Sequence, residues 1–112
     1  MVKKIALEEH FIDPATEAYW RPTMVDVAPA KTAQLYAALT DFGEQRLQMM
    51  DKTGIARAVL AIAGPGVQVE PDTATAVRNA RASNDFLAKE LQKRPDRYSG
   101  FAHLAMQDAK AA

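Results

Sequence analysis

Residues 55–63, IARAVLAIA, form a nearly continuous apolar run with a β-branched centre, entered from Gly54 and closed by Gly64-Pro65-Gly66. A strand with one wet face alternates apolar and polar side chains, whereas a strand covered on both faces stays apolar throughout. The run therefore predicts a strand inside a parallel sheet. Parallel neighbours cannot be joined by a hairpin, so long crossovers must flank it.

Both flanks supply one. Asp41 followed by Glu44 resembles a capping box, Leu47 and Met50 then share a helical face, and Gly54 supplies the stop, which predicts a helix over 42–53. From 72 to 94, Val77, Ala80, Asn84, Leu87 and Leu91 recur at helical spacing, with Lys89, Lys93 and Arg94 gathered at the C-terminal end before Pro95. A short apolar run over 4–11, ended by Asp13-Pro14, reads as the first strand, and 97–104 (RYSGFAHL) as the third. Asp108 is placed to cap a further helix whose first turn is 109–112. Residues 12–40 carry Pro14, Pro22 and Pro29 and read as a long irregular connection with one helical stretch near 31–39. The order β-α-β-α-β makes the fold class α/β, with parallel strands and right-handed crossovers. At 112 residues the chain is under half of the roughly 250 that a (β/α)₈ barrel needs, so any barrel reading is a partial one.

Composition narrows the function classes. Lys plus Arg and Asp plus Glu are 14 each, which removes the attraction that non-specific nucleic-acid binding needs. Without cysteine there is no disulfide framework, thiolate metal site or cysteine nucleophile, and the default location is the cytoplasm. Lys3 and Lys4 lead into an apolar stretch that Glu8 and Glu9 interrupt, so no signal-peptide core forms, and no run is long enough to span a membrane. Twenty-two alanines bury little area each, so the core is thin. Gly64-x-Gly66 lacks the third glycine of a dinucleotide motif, and no P-loop lysine follows, which argues against nucleotide binding.

The sharpest chemical feature is Glu8-x-His10 at the C-terminal end of the first strand. At a period of two both side chains project from one face, while Glu9 points to the other. A carboxylate oxygen and a neutral imidazole suit Zn²⁺ or Mn²⁺, and parallel α/β folds build their sites at this end of the strands. The same triplet is also met as a surface glutamate beside an incidental histidine. His103, alone near a strand end, is either a hydrogen-bonded structural residue or a site residue; Asn84, on the apolar stripe, is expected to hydrogen-bond a neighbouring turn.

The stretch Lys4-Ile5-Ala6-Leu7-Glu8-Glu9-His10-Phe11 resembles the opening of the aromatic-acid decarboxylases of the amidohydrolase superfamily, the γ-resorcylate (2,6-dihydroxybenzoate) and 2,3-dihydroxybenzoate decarboxylases and their relatives. Arg46-Leu47, Met50-Asp51, Gly54-Ile55, Gly64-Pro65-Gly66-Val67-Gln68, Ser83-Asn84-Asp85, Arg94-Pro95-Asp96-Arg97, Phe101-Ala102 and Gln107-Asp108 resemble the same family in the same order. His103 and Ala105 stand where relatives often carry Ala or Thr and Pro, so no role for His103 is inherited.

The resemblance implies the N-terminal portion of a (β/α)₈ barrel and non-oxidative decarboxylation of a hydroxybenzoate by the whole protein. It implies one divalent ion, Mn²⁺ or Zn²⁺ with Mg²⁺ an option, held by Glu8 and His10 and by later strands, with no organic cofactor and a proton donor beyond residue 112. The substrate is a small aromatic acid; Arg46 is a candidate anchor for its carboxylate, or else a helix-surface ion pair. Phe11 and Trp20, with Tyr19, are candidate walls of a flat pocket, and Gly64 and Pro65 a loop that approaches the ring, or a plain strand-to-helix turn. A homo-oligomer is expected of the whole protein, without nucleic-acid or membrane partners. A hydrolase of the same superfamily is the alternative, as is a non-catalytic fragment. The 112 residues alone are expected to be inactive and to self-associate, with Leu60, Ile62 and Phe101 inadequately covered.

Overall fold

The computed structural model describes residues 2–112. Strands β1 (Lys4–Phe11), β2 (Ile55–Ile62) and β3 (Tyr98–Gly100) form a parallel sheet in the order β1-β2-β3. The helices are α1 (Glu17–Trp20), α2 (Pro29–Thr40), α3 (Glu44–Thr53) and α4 (Thr73–Lys93), with single 3₁₀ turns at Arg21–Met24 and Gly66–Val69.

Strand alternation sorts β2 into two faces. Ala58 and Leu60 are wholly buried and join Phe11, Met50, Leu87 and Tyr98 in the main core beneath α3 and α4. Arg57, Val59 and Ala61 lie on the opposite face. Leu60 thus departs from the expectation of poor cover, because it faces the helices present in this chain. Ile62 is partly buried against the same core, while Phe101 is 58% exposed.

Local chemistry fixes α3 and α4. The Asp41 carboxylate accepts the Gly43 and Arg46 amides ahead of α3, so it caps the helix from two residues before Gly43, the residue at the cap position. Gly54 ends α3 in the left-handed region at φ 75°. Asp72 accepts the Thr75 amide at 2.8 Å at the start of α4, whose Ala76, Ala80, Ser83 and Leu87 are buried. Three sequence readings need correction. The helix expected near 31–39 is present as α2, which begins at Pro29, whose missing N–H costs nothing in the first helical turn, but the 12–40 connection also holds α1 and a 3₁₀ turn. β3 runs only to Gly100: the Phe101 amide still bonds the Leu60 carbonyl at 2.9 Å, and from His103 the chain bonds instead to α4 and to the turn after β2. Residues 109–112 make a turn on Asp108 and no helix.

Candidate functional site

The C-terminal ends of β1 and β2 converge with the segment after β3. In β1 the pairing slips between Ala6 and Glu9: Ala6 registers with Ala58 and Glu9 with Leu60, so β1 advances three residues while β2 advances two. This bulge falls at Leu7 and Glu8. Unbroken alternation from Ala6 would turn His10 toward the helices; the extra residue instead sets His10 opposite Ala61, on the face away from the core. Bulges recur beside active sites because they re-aim a side chain in this way. Glu8 and His10 are both exposed, and among the described residues neither side chain has a hydrogen-bond partner.

Glu9 faces the helix side, in register with Leu60, and lies 3.7 Å from the Arg46 guanidinium. Arg46 is committed to the chain itself: Nε donates to the Asp41 carbonyl at 2.7 Å, and Nη2 to the carbonyls of His10 at 2.8 Å and Ala38 at 3.1 Å. Its side chain is 10% exposed and packs over the Phe42 ring. Within this chain Arg46 is a brace between α2, α3 and the backbone of His10, the structural alternative to the substrate anchor.

The two aromatic candidates also move into the core. Phe11 is 1% exposed, registers with Ile62 and stacks at 5.6 Å against Phe42, on the face opposite His10. Adjacency to His10 in a strand means opposite faces, which is why nearness in sequence misled. Trp20 is 4% exposed and packs with Ile12, Ala63 and Tyr36. Both rings are buried in the core of this chain. Gly64 is exposed with open space where a Cβ would stand, and Pro65 follows it through a cis peptide at the end of β2. The close approach falls one step later, at Gly66 (φ 59°), where a Cβ would meet His103 Nε2 at 2.4 Å.

His103 Nε2 accepts the Val67 amide at 3.0 Å, which leaves the ring proton on Nδ1. Burial holds its pKa below the ordinary histidine value, with the Asp13 carboxylate opposing that shift. Asp13 is a functional-looking residue that the sequence reading passed over as a strand stop. It is 2% exposed and accepts hydrogen bonds from the Ala15 amide (2.7 Å), Thr16 Oγ1 (2.7 Å) and Ser83 Oγ (2.6 Å), which tie the end of β1 to α4. The one signal for it was Thr16 three residues on, the spacing of a local Asp–Thr turn.

A divalent ion fits the donor chemistry of Glu8 and His10, one carboxylate and one imidazole, both free. Among the described residues no group of three His, Cys, Asp or Glu side chains is arranged to hold a metal ion, so a complete site needs donors from elsewhere.

Three parallel strands with helices packed on one face make the chain α/β, an arrangement it shares with structural neighbours that are (β/α)₈-barrel decarboxylases, over about a third of their length. It is homologous over its whole length to proteins named gamma-resorcylate decarboxylase. Identity is 42% over 112 residues with gamma-resorcylate decarboxylase of Rhodococcus jostii (strain RHA1), covering 100% of this chain and 33% of that one. The crystal structure of dihydroxybenzoic acid decarboxylase from Polaromonas sp. JS666, with bound manganese and the inhibitor 2-nitroresorcinol, superposes with a TM-score of 0.91 at 38% identity, over 100% of this chain and 33% of that one. A 2,6-dihydroxybenzoate decarboxylase complexed with 2,6-dihydroxybenzoate gives the same TM-score at 40% identity, over 100% of this chain and 34% of that one. The chain spans about a third of the length of the curated relatives it matches. No protein-family model matches it. Among the described residues no helix is long and apolar enough to cross a membrane.

Proposed function

We propose that this chain supplies the first-strand metal ligands and part of the substrate mouth of a divalent-metal-dependent decarboxylase acting on a hydroxybenzoate-type acid. The observation that carries the reading is the bulge in β1, which frees His10 from the core at the strand end in a chain 42% identical to a gamma-resorcylate decarboxylase. Manganese in the Polaromonas structure supports Mn²⁺ as the ion.

In this reading Glu8 contributes a carboxylate oxygen and His10 a neutral imidazole nitrogen. A bound divalent ion supplies Lewis acidity and a template for the substrate's carboxylate and ortho-hydroxyl oxygens. Arg46 holds the His10 carbonyl and so keeps the ligand's backbone still. The Gly64-Pro65 turn forms one side of the mouth. The chemistry is protonation of the ring carbon bearing the carboxylate, followed by cleavage of the C–CO₂ bond, whose electron pair restores the aromatic ring as CO₂ leaves. With Phe11 and Trp20 in the core and Arg46 engaged, the proton donor and the ring-binding walls come from outside these 112 residues. The whole protein is a homo-oligomer that works in the cytoplasm without an organic cofactor.

The test is the whole protein loaded with Mn²⁺ and given 2,6-dihydroxybenzoate. Release of CO₂ and resorcinol in equal amounts is expected. Hydrolysis of aryl esters or amides with no CO₂ from any hydroxybenzoate would replace the decarboxylase with a hydrolase.

A further inference from the structure

The turn after β2 is fastened to the segment after β3 by side chains that the proposed chemistry leaves unused. Val67 donates its amide to His103 Nε2 at 3.0 Å, and Gln107 Nε2 donates to the carbonyls of Val67 at 2.6 Å and Glu70 at 3.0 Å. Gln68 Nε2 donates to the Leu104 carbonyl at 2.6 Å. From below, Asn84 on α4 grips the His103 backbone twice: its Oδ1 accepts the His103 amide at 2.6 Å, and its Nδ2 donates to the His103 carbonyl at 2.9 Å. The His103 backbone is thus held by α4, and its imidazole presents an acceptor to the turn.

Only a residue without a Cβ lets the two segments meet this closely. Gly66 has a left-handed φ of 59°, and a Cβ there would lie 2.4 Å from Nε2 and 2.6 Å from Cε1 of His103. Val67, wholly buried, then seats against Ala76, Ala80 and Ala105. A lone histidine near a strand end, with no role assigned by resemblance, acquires one from this geometry.

We infer that His103 is a positioning residue: through Val67 it sets the height of the Gly64-Pro65 turn over the strand ends, and thereby the width of the opening through which an aromatic acid enters. The backbone part stands on these contacts alone, and the substrate part rests on the proposed function. His103 touches neither substrate nor ion in this role. It acts through the Val67 amide.

The experiment uses the whole protein and reads Val67 amide exchange by NMR or mass spectrometry alongside steady-state decarboxylation of 2,6-dihydroxybenzoate. His103→Ala should raise Val67 exchange about tenfold or more, the effect of losing one net hydrogen bond near 1.4 kcal/mol, and should raise KM several-fold with kcat little changed. His103→Gln, whose Oε1 reaches about as far as Nε2, should restore both. Gly66→Ala should be more damaging in the native background than in the His103→Ala background, because the clash it creates is with the imidazole. Unchanged Val67 exchange in His103→Ala, or equal damage from Gly66→Ala in both backgrounds, overturns the inference. Faster exchange with unchanged KM overturns its substrate part. A protein that decarboxylates no hydroxybenzoate, yet shows the exchange pattern, removes the proposed function and leaves the clasp standing.

Discussion

Replacing Arg46 separates two readings of one residue. A substrate anchor can be removed at little cost to the fold, whereas a brace cannot. Arg46→Ala strips the donors from the carbonyls of Asp41, His10 and Ala38. A hydrogen bond from a charged donor contributes about 1.5–3 kcal/mol, and these bonds reach the surface, where water replaces part of each, so a total near 3 kcal/mol follows. The Glu9 contact at 3.7 Å adds little, since Glu9 is 41% exposed and its pairing is screened. Arg46→Lys keeps the charge and one donor in place of the fork and should lose about half as much. Urea unfolding of the whole protein, with parallel KM measurements, decides the matter: the midpoint should fall for both variants in that order, with m unchanged. A stability loss under about 0.5 kcal/mol together with a KM rise of tenfold or more would refute the brace and restore the anchor.

Two further outcomes follow from the same contacts. Ser83→Ala removes the 2.6 Å hydrogen bond to the buried Asp13 carboxylate and leaves those from Ala15 and Thr16, so denaturant unfolding should show a loss of about 1.5–3 kcal/mol; a neutral result would mean α4 is not tied to β1 there. Burial lowers the His103 pKa below 6.5, so its stabilising neutral form is fully present above that value and lost as pH falls through the lowered folded value; the slope of stability against pH in this window should be positive and should flatten in His103→Gln, and an identical slope in both proteins would contradict it.

The sheet was legible because its signals are local and strong. The apolar run of β2 and the glycine stops at Gly54 and Gly64 mark a covered strand from sequence alone, and the stripe of Val77, Ala80, Leu87 and Leu91 marks the helix that covers it. What escaped depended on contacts distant in sequence. The proximity of Phe11 to His10 suggested a shared pocket, but successive strand residues face opposite ways, and Phe11 meets Leu60 and Met50. The bulge at Leu7 and Glu8 leaves no mark in composition; it emerges only when β1 is laid beside β2. Asp13 read as the stop before Pro14 because its buried partner, Ser83, lies 70 residues away. Gly66 looked equivalent to Gly64 until His103 was placed against it. The prolines of 12–40 read as breakers, yet Pro29 opens α2.

The central claim is that Glu8 and His10 share one divalent ion at the end of β1. The most direct measurement is an anomalous difference map at the manganese edge from crystals of the whole protein grown with Mn²⁺. A single strong peak should lie in direct coordination with the Glu8 carboxylate and the His10 imidazole, and it should vanish in His10→Ala. A peak elsewhere, or one that survives His10→Ala at full height with His10 unbound, would contradict the account.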